Sequence, residues 1–156
     1  MKKNLVFTGL LICILFLLIG CTTPTIDLTP EEEINALINK FGEGFAEEDV
    51  DKVLSCCHFP FLIYHYNWES ANLHTLSSYQ TSLEKMFTED VMYIDEFINR
   101  DITFVSDSEA IVHATEHWES DDNESGYIIE YDKTQLTCIK EGGNWKISKY
   151  IFLEDE

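Results

Sequence analysis

Positive charge is scarce in this chain. Only 10 Lys and Arg stand against 29 Asp and Glu, for a formal net charge of −19. A surface that acidic repels phosphate backbones, which excludes nucleic-acid binding. No C-x-x-C pair occurs among the 5 cysteines, and three scattered thiols do not make a zinc site. The one long apolar run, Leu5 to Ile19, reaches only ~22 Å as a helix, short of the ~30 Å hydrocarbon core. No internal repeat and no low-complexity tract is present. Apolar residues at 45% and aromatics at 13% suffice for a packed core, so global disorder is excluded. The length of 156 residues suits one domain.

What is present begins with an ordered leader. Lys2 and Lys3 precede the uncharged run, the layout of a secretory signal whose charge stays at the cytoplasmic face. The run ends in Leu18-Ile19-Gly20-Cys21, which resembles the bacterial lipobox, with Cys21 as the lipidated residue. Thr22-Thr23-Pro24-Thr25 reads as a tether. The expected division is a lipoprotein signal peptide over 1–20, a tether over 21–29 and one domain over 30–154. The domain is expected outside the cytoplasmic membrane, held there by acyl chains. Without Lys2 and Lys3 the remainder carries 8 cations against 29 carboxylates, a charge of −21. Such a charge keeps the domain away from an anionic bilayer surface.

Location changes the cysteine question. Cys56, Cys57 and Cys138 remain, in a compartment where disulfides form. Neighbouring cysteines close only a strained ring, and pairing of either with Cys138 depends on geometry. Buried free thiols are the simpler expectation.

Thr29-Pro30-Glu31-Glu32 predicts a helix start, with Thr29 as cap, Pro30 in the first turn and Glu32 closing a capping box. Ile34, Leu37, Ile38, Phe41 and Phe45 form one helical stripe. Gly42 and Gly44 weaken this helix and point to close packing against a sheet. Asp49 caps a short second helix. Phe59 to Tyr66 predicts a strand, and Ser77-x-x-Gln80 a capping box for a third helix. From Ile98 onward the period falls to two, giving strands at Ile102–Val105, Ala110–Trp118, Tyr127–Ile139 and Trp145–Leu153. Helices first and a meander after them predict α+β, with helices on one face of a curved sheet.

The capped helix, the phrase Glu47-Glu48-Asp49-Val50-Asp51-Lys52-Val53-Leu54 and the closing Gly143-Asn144-Trp145-Lys146-Ile147 resemble the NTF2-like superfamily, the cone fold of SnoaL-like cyclases and ketosteroid isomerases. The resemblance spans Pro30 to Leu153 and implies a concave apolar pocket, a natural small-molecule site. It implies pairing through the open sheet face as a homodimer. In isomerases of this superfamily a pocket carboxylate takes a proton while a tyrosine and a protonated acid hold the oxyanion. Carried over without gaps, the base position falls on His65, a competent general base, and the oxyanion tyrosine on Phe41, which has no proton to give. Alternation puts Tyr64 and Tyr66 on the face opposite His65.

Other ionisable residues have plainer readings. His113 and His117 share a face ~13 Å apart, too far for one metal ion, and read as exposed or dimer-facing. Glu116 stands on an otherwise apolar face and is expected at a pocket mouth, solvated. Asp121, Asn123, Ser125, Gly126 and Asp132 echo a calcium loop but sit between strands, as a hairpin turn would. Asn123-Glu124-Ser125 is a glycosylation sequon.

The reading is a lipid-anchored extracytoplasmic domain that binds a small hydrophobic ligand or an envelope protein without catalysis, and needs no metal or cofactor. Its pocket is expected from Phe41, Phe45, Ile63, Trp118 and Trp145. The alternative is an isomerase-type enzyme with His65 as base.

Overall fold

The computed structural model describes residues 28–67, 70–122 and 126–154. The leader, Cys21, most of the tether and the Asn123 sequon lie outside them. Among the described residues, no helix is long and apolar enough to cross a membrane.

The first helix, α1 (Pro30–Ala46), begins as its sequence dictates. Thr29 Oγ1 accepts from Glu32 N at 3.3 Å, while Glu32 Oε2 accepts from Thr29 N at 2.7 Å. This reciprocal cap satisfies two amides that the helix leaves open. Ile34, Ile38 and Phe41 are fully buried, so the predicted stripe is the core-facing one. Asp49 Oδ1 accepts from Lys52 N at 2.9 Å and opens α2 (Val50–Cys56). The two glycines do different work. A Cβ on Gly42 would stand 2.4 Å from the Asp95 carbonyl oxygen, on the sheet, whereas one on Gly44 would stand 2.7 Å from Val53 Cγ2, on α2. Only Gly42 marks the expected helix–sheet contact.

Strands β1 (Cys57–His65) and β2 (Asn72–His74) precede α3 (Leu76–Glu89), and β3 (Asp90–Ser106), β4 (Glu109–Asp122), β5 (Gly126–Glu141) and β6 (Asn144–Phe152) follow. They form one sheet in the order β2-β1-β6-β5-β4-β3. All neighbours are antiparallel except β1 and β6, which run parallel. Pro60, which has no amide proton, falls where the β1–β6 ladder is interrupted between Cys57 and Leu62. The three helices pack on the curved sheet, and the α+β expectation holds.

Three details differ from the sequence reading. The third helix is capped by Thr75, whose Oγ1 accepts from Ser78 N at 3.2 Å, and not by Ser77. Strand β2, three residues long, is too short to show a period. Strand β3 starts at Asp90, far ahead of Ile102. Its register breaks between Met92 and Ile94, Ile98 and Asp101, and Phe104 and Ser106, and each extra residue reverses the alternation that marks a strand. At the middle break Asn99 takes a φ of 52°. Beside it Arg100 donates to the Phe97 carbonyl at 2.7 Å and to Asn39 Oδ1 at 2.6 Å. That guanidinium ties the bend of β3 to α1.

Between helices and sheet the rings of Phe41, Phe97 and Tyr150 meet at about 6 Å. At the β5–β6 turn, Gly142 and Gly143 both take positive φ, 57° and 88°, as a tight hairpin of this twist requires. Cys56, Cys57 and Cys138 are buried and free.

Candidate functional site

The irregularities of β3 and β6 decide what faces the cone. On β3 the pairs Met92↔Ser120 and Asp95↔Trp118 lie either side of a break. The chain therefore advances three residues, not two, to return to the same face. Strand β6 shifts register against β5 between Thr137 and Cys138, so that Ile147 and Tyr150 both turn inward and are buried. On β4, plain alternation carries Ala110, Val112, Ala114 and Glu116 inward. The register then sets Asp132 directly opposite Glu116, and Glu130 opposite Trp118.

Of these, Met92, Asp95, Glu116, Trp118, Asp132 and Tyr150 line a cavity of about 470 Å³. Its floor is polar. Asp95, Glu116 and Tyr150 are 7%, 5% and 4% exposed; Asp95 Oδ1, Glu116 Oε2 and Tyr150 Oη make no well-formed hydrogen bond among the described residues, and the polar neighbours of Glu116 are the Tyr150 hydroxyl and the Asp95 carboxyl. Asp95, Glu116 and Tyr150 neighbour one another and give an otherwise apolar cavity one polar end. The walls are Phe45, Met86, Met92, Trp118 and Phe152, and the rim carries His65, Tyr66 and Asn67. Trp118 Nε1 donates to Asp132 Oδ2 at 3.0 Å, which fixes that carboxylate on the cavity wall. Among the described residues, no lysine or arginine lines the cavity.

Burial sets the acidity of the floor. It raises Glu116 from 4.5 to about 7, against the lowering influence of the nearby Tyr150 hydroxyl, with Asp132 opposite adding repulsion. Burial likewise pushes Asp95 well above the usual carboxylate range, and Glu116 beside it pushes further. Tyr150 is raised by burial and by both acids. At neutral pH the acid pair thus retains a proton. It is able to donate a hydrogen bond from one member and accept a proton or a positive charge with the other.

A second cavity of about 330 Å³ adjoins the first through shared walls of Phe45, Met86, Tyr150 and Phe152. Ile63, Tyr79 and Leu83 complete its apolar lining, with Asn72 and His74 at the β2 side.

Of the expected pocket residues, Phe45 and Trp118 line the main cavity and Ile63 the adjoining one. Phe41 and Trp145 do not. Phe41 is wholly buried in the core, edge-on to Phe45 at 5.1 Å. Trp145 lies at the far end of β6, where its Nε1 and Lys140 Nζ donate to Glu33 Oε2 at 3.0 and 3.1 Å. His65 stands at the rim, its ring 4.7 Å from Tyr66 and 5.1 Å from Phe152, with Nδ1 accepting from Asn67 N at 3.2 Å. Tyr66 is not on the opposite face. The strand ends at His65, alternation ends with it, and Tyr66 turns back onto the same cavity.

Glu116 is not solvated at a mouth but buried at the floor, because Phe97 and Asp132 flank it in the sheet. His113 and His117 face outward, one beside Gln135 and the other between Glu96 and a stacked Tyr131. Asp95 and Tyr150 went unrecognised in the sequence. The β3 and β6 breaks hide their shared face, and an acid in Ile94-Asp95-Glu96-Phe97 reads as surface charge.

No family model matches the sequence, and no curated protein does. Solved structures do match in fold. A putative scytalone dehydratase from Novosphingobium aromaticivorans superposes with a TM-score of 0.69 at 16% identity, over 81% of this chain and 84% of that one. An NTF2-like protein of unknown function from Prochlorococcus marinus gives 0.66 at 14%, over 83% and 95%. A ketosteroid isomerase-like protein from Erwinia carotovora atroseptica gives 0.60 at 14%, over 81% and 100%. Helices on a strongly curved six-stranded sheet, and these likenesses, give the chain the NTF2-like cone fold.

Proposed function

We propose that this chain is a lipid-anchored extracytoplasmic domain that binds a small molecule in its cone without turning it over. The observation that carries this reading is the 470 Å³ cavity, walled by aromatic and Met side chains over a floor of buried polar side chains. Its size suits a small ligand, and a few polar groups in an apolar cavity orient one. Cys21 and the apolar leader support the anchor. Exposed Tyr93, Tyr127, Ile129 and Tyr131 on the outer sheet face support pairing of two copies there, or a contact with an envelope protein.

A second reading is favoured by one specific feature, the raised Glu116 beside Asp95 and Tyr150. A base near neutrality, facing a hydroxyl and a protonated acid, is the equipment for moving a proton next to a carbonyl. In that reading the base is Glu116, and His65 stays at the rim.

Native mass spectrometry of gently purified protein tests the binding reading. A bound small molecule is expected on the parent and lost from Met92→Trp, which plugs the cavity from a half-exposed wall position. Identical spectra, with no adduct on either, contradict it. Incubating the recovered ligand with protein in D₂O separates the two readings, since deuterium entering a C–H bond requires proton transfer.

A further inference from the structure

The main cavity carries four carboxyl groups, those of Asp95, Glu116, Glu130 and Asp132, and no lysine or arginine. Two of the four, Asp95 and Glu116, are more than nine-tenths buried beside each other, and each has an oxygen that no well-formed hydrogen bond among the described residues satisfies. Glu116 and Asp132 stand directly opposite each other across β4 and β5, an arrangement of like charges that costs stability unless something lies between them. An anionic ligand is repelled by such a site. A neutral one leaves the acids holding the proton that burial and mutual repulsion keep on them. A positive group lets them ionise, and aromatic side chains around the same space, here Phe45, Trp118, Tyr150 and Phe152, favour organic cations over hydrated metal ions.

The adjoining chamber is different in kind. Ile63, Leu83 and Tyr79 supply an apolar lining under α3, and Phe45, Met86, Tyr150 and Phe152 belong to both spaces. A ligand crossing that boundary has one charged end and one apolar end.

From this arrangement we infer that the cone receives an elongated organic cation, with an ammonium head against Glu116 and Asp95 and an apolar tail beneath α3. The inference rests on the reading that the cone binds a small molecule, and adds the chemical class of what it binds. The overall negative charge of the chain attracts any cation weakly, so the test must distinguish the buried acids from the surface ones.

Calorimetric titration of the purified full chain at pH 8 and 150 mM salt uses hexyltrimethylammonium, hexanol and hexanoate. These three probes share a tail and differ in head charge. The cation is expected to bind at least tenfold tighter than hexanol, and hexanoate not at all. Glu116→Gln, and independently Asp95→Asn in case the first variant misfolds, should weaken the cation at least tenfold and leave hexanol unchanged. Glu141→Gln, an exposed acid outside the cavity, should change neither. Hexanol binding as tightly as the cation overturns the cation inference while leaving a ligand-binding cone. Equal losses in Glu116→Gln and Glu141→Gln overturn it as well, by assigning the attraction to diffuse charge. Binding of none of the three probes overturns both the inference and the reading beneath it.

Discussion

Glu116 is the residue on which the site turns, and its acidity is a statement about stability. An acid whose pKa is raised by folding is protonated in the folded state at pH values where the unfolded chain has already lost the proton. Stability from this group is therefore complete below the unfolded value of 4.5 and is lost as pH climbs to about 7. The rise corresponds to roughly 3 kcal/mol across that window. Glu116→Gln removes this residue's share of the slope and leaves that of Asp95. Parent and variant should melt alike near pH 4, and the variant should be the more stable by several degrees at pH 8, read by circular dichroism. A parent that gains stability over the same window relative to the variant would show that Glu116 is ionised and paired. The thiols give a second residue-scale test. Burial pushes Cys138 up to about 12 and raises Cys57 strongly as well, so these two thiols should react with iodoacetamide at pH 8 at least about a hundredfold more slowly in the native than in the unfolded protein. At this scale the sequence was legible where a residue's role is local. The Thr29 and Asp49 caps could be named because their partners lie three residues away. Asp95 and Tyr150 could not, because they act through neighbours on other strands.

Among the elements, α1 and β3 carry the cone. Their contact runs through Gly42, where an added Cβ would stand 2.4 Å from the Asp95 carbonyl. Gly42→Ala should therefore lower the melting temperature, although alanine is the better helix former by about 1 kcal/mol. Overpacking against backbone typically costs about 1–3 kcal/mol, and the displaced residue is the one that places Asp95 in the floor. A stabilised Gly42→Ala protein, by thermal melting, would mean that the helix does not press on β3. The helices were readable because their stripes are continuous: Ile34 through Phe45 keeps one phase throughout. Strand β4 was readable for the same reason. Of strand β3 only the end, Ile102 to Val105, was, since three register breaks in one strand erase the period over the rest. The same breaks bend the sheet around α1 and bring Asp95 beside Glu116, so the features that make the cavity also conceal it.

For the whole molecule, the proposed lipid anchor and the cup are separable parts. Replacement of Cys21 by Ser should move the protein from the membrane fraction to the soluble fraction on cell fractionation, while the thermal melt of the domain stays unchanged; retention on membranes would count against acylation. Tyr127 and Tyr131 on the outer face of the sheet are more than half exposed, a position suited to a second copy and remote from the cavity. Everything functional, however, depends on the cone being occupied. The most direct measurement is a crystal structure of the protein purified without unfolding, at neutral pH. The account predicts ligand density between Glu116, Trp118 and Phe152, with a polar group within hydrogen-bond distance of the Glu116 carboxyl. A cavity closed by Trp118 and Met86, with Glu116 hydrogen-bonded only to protein, would contradict it.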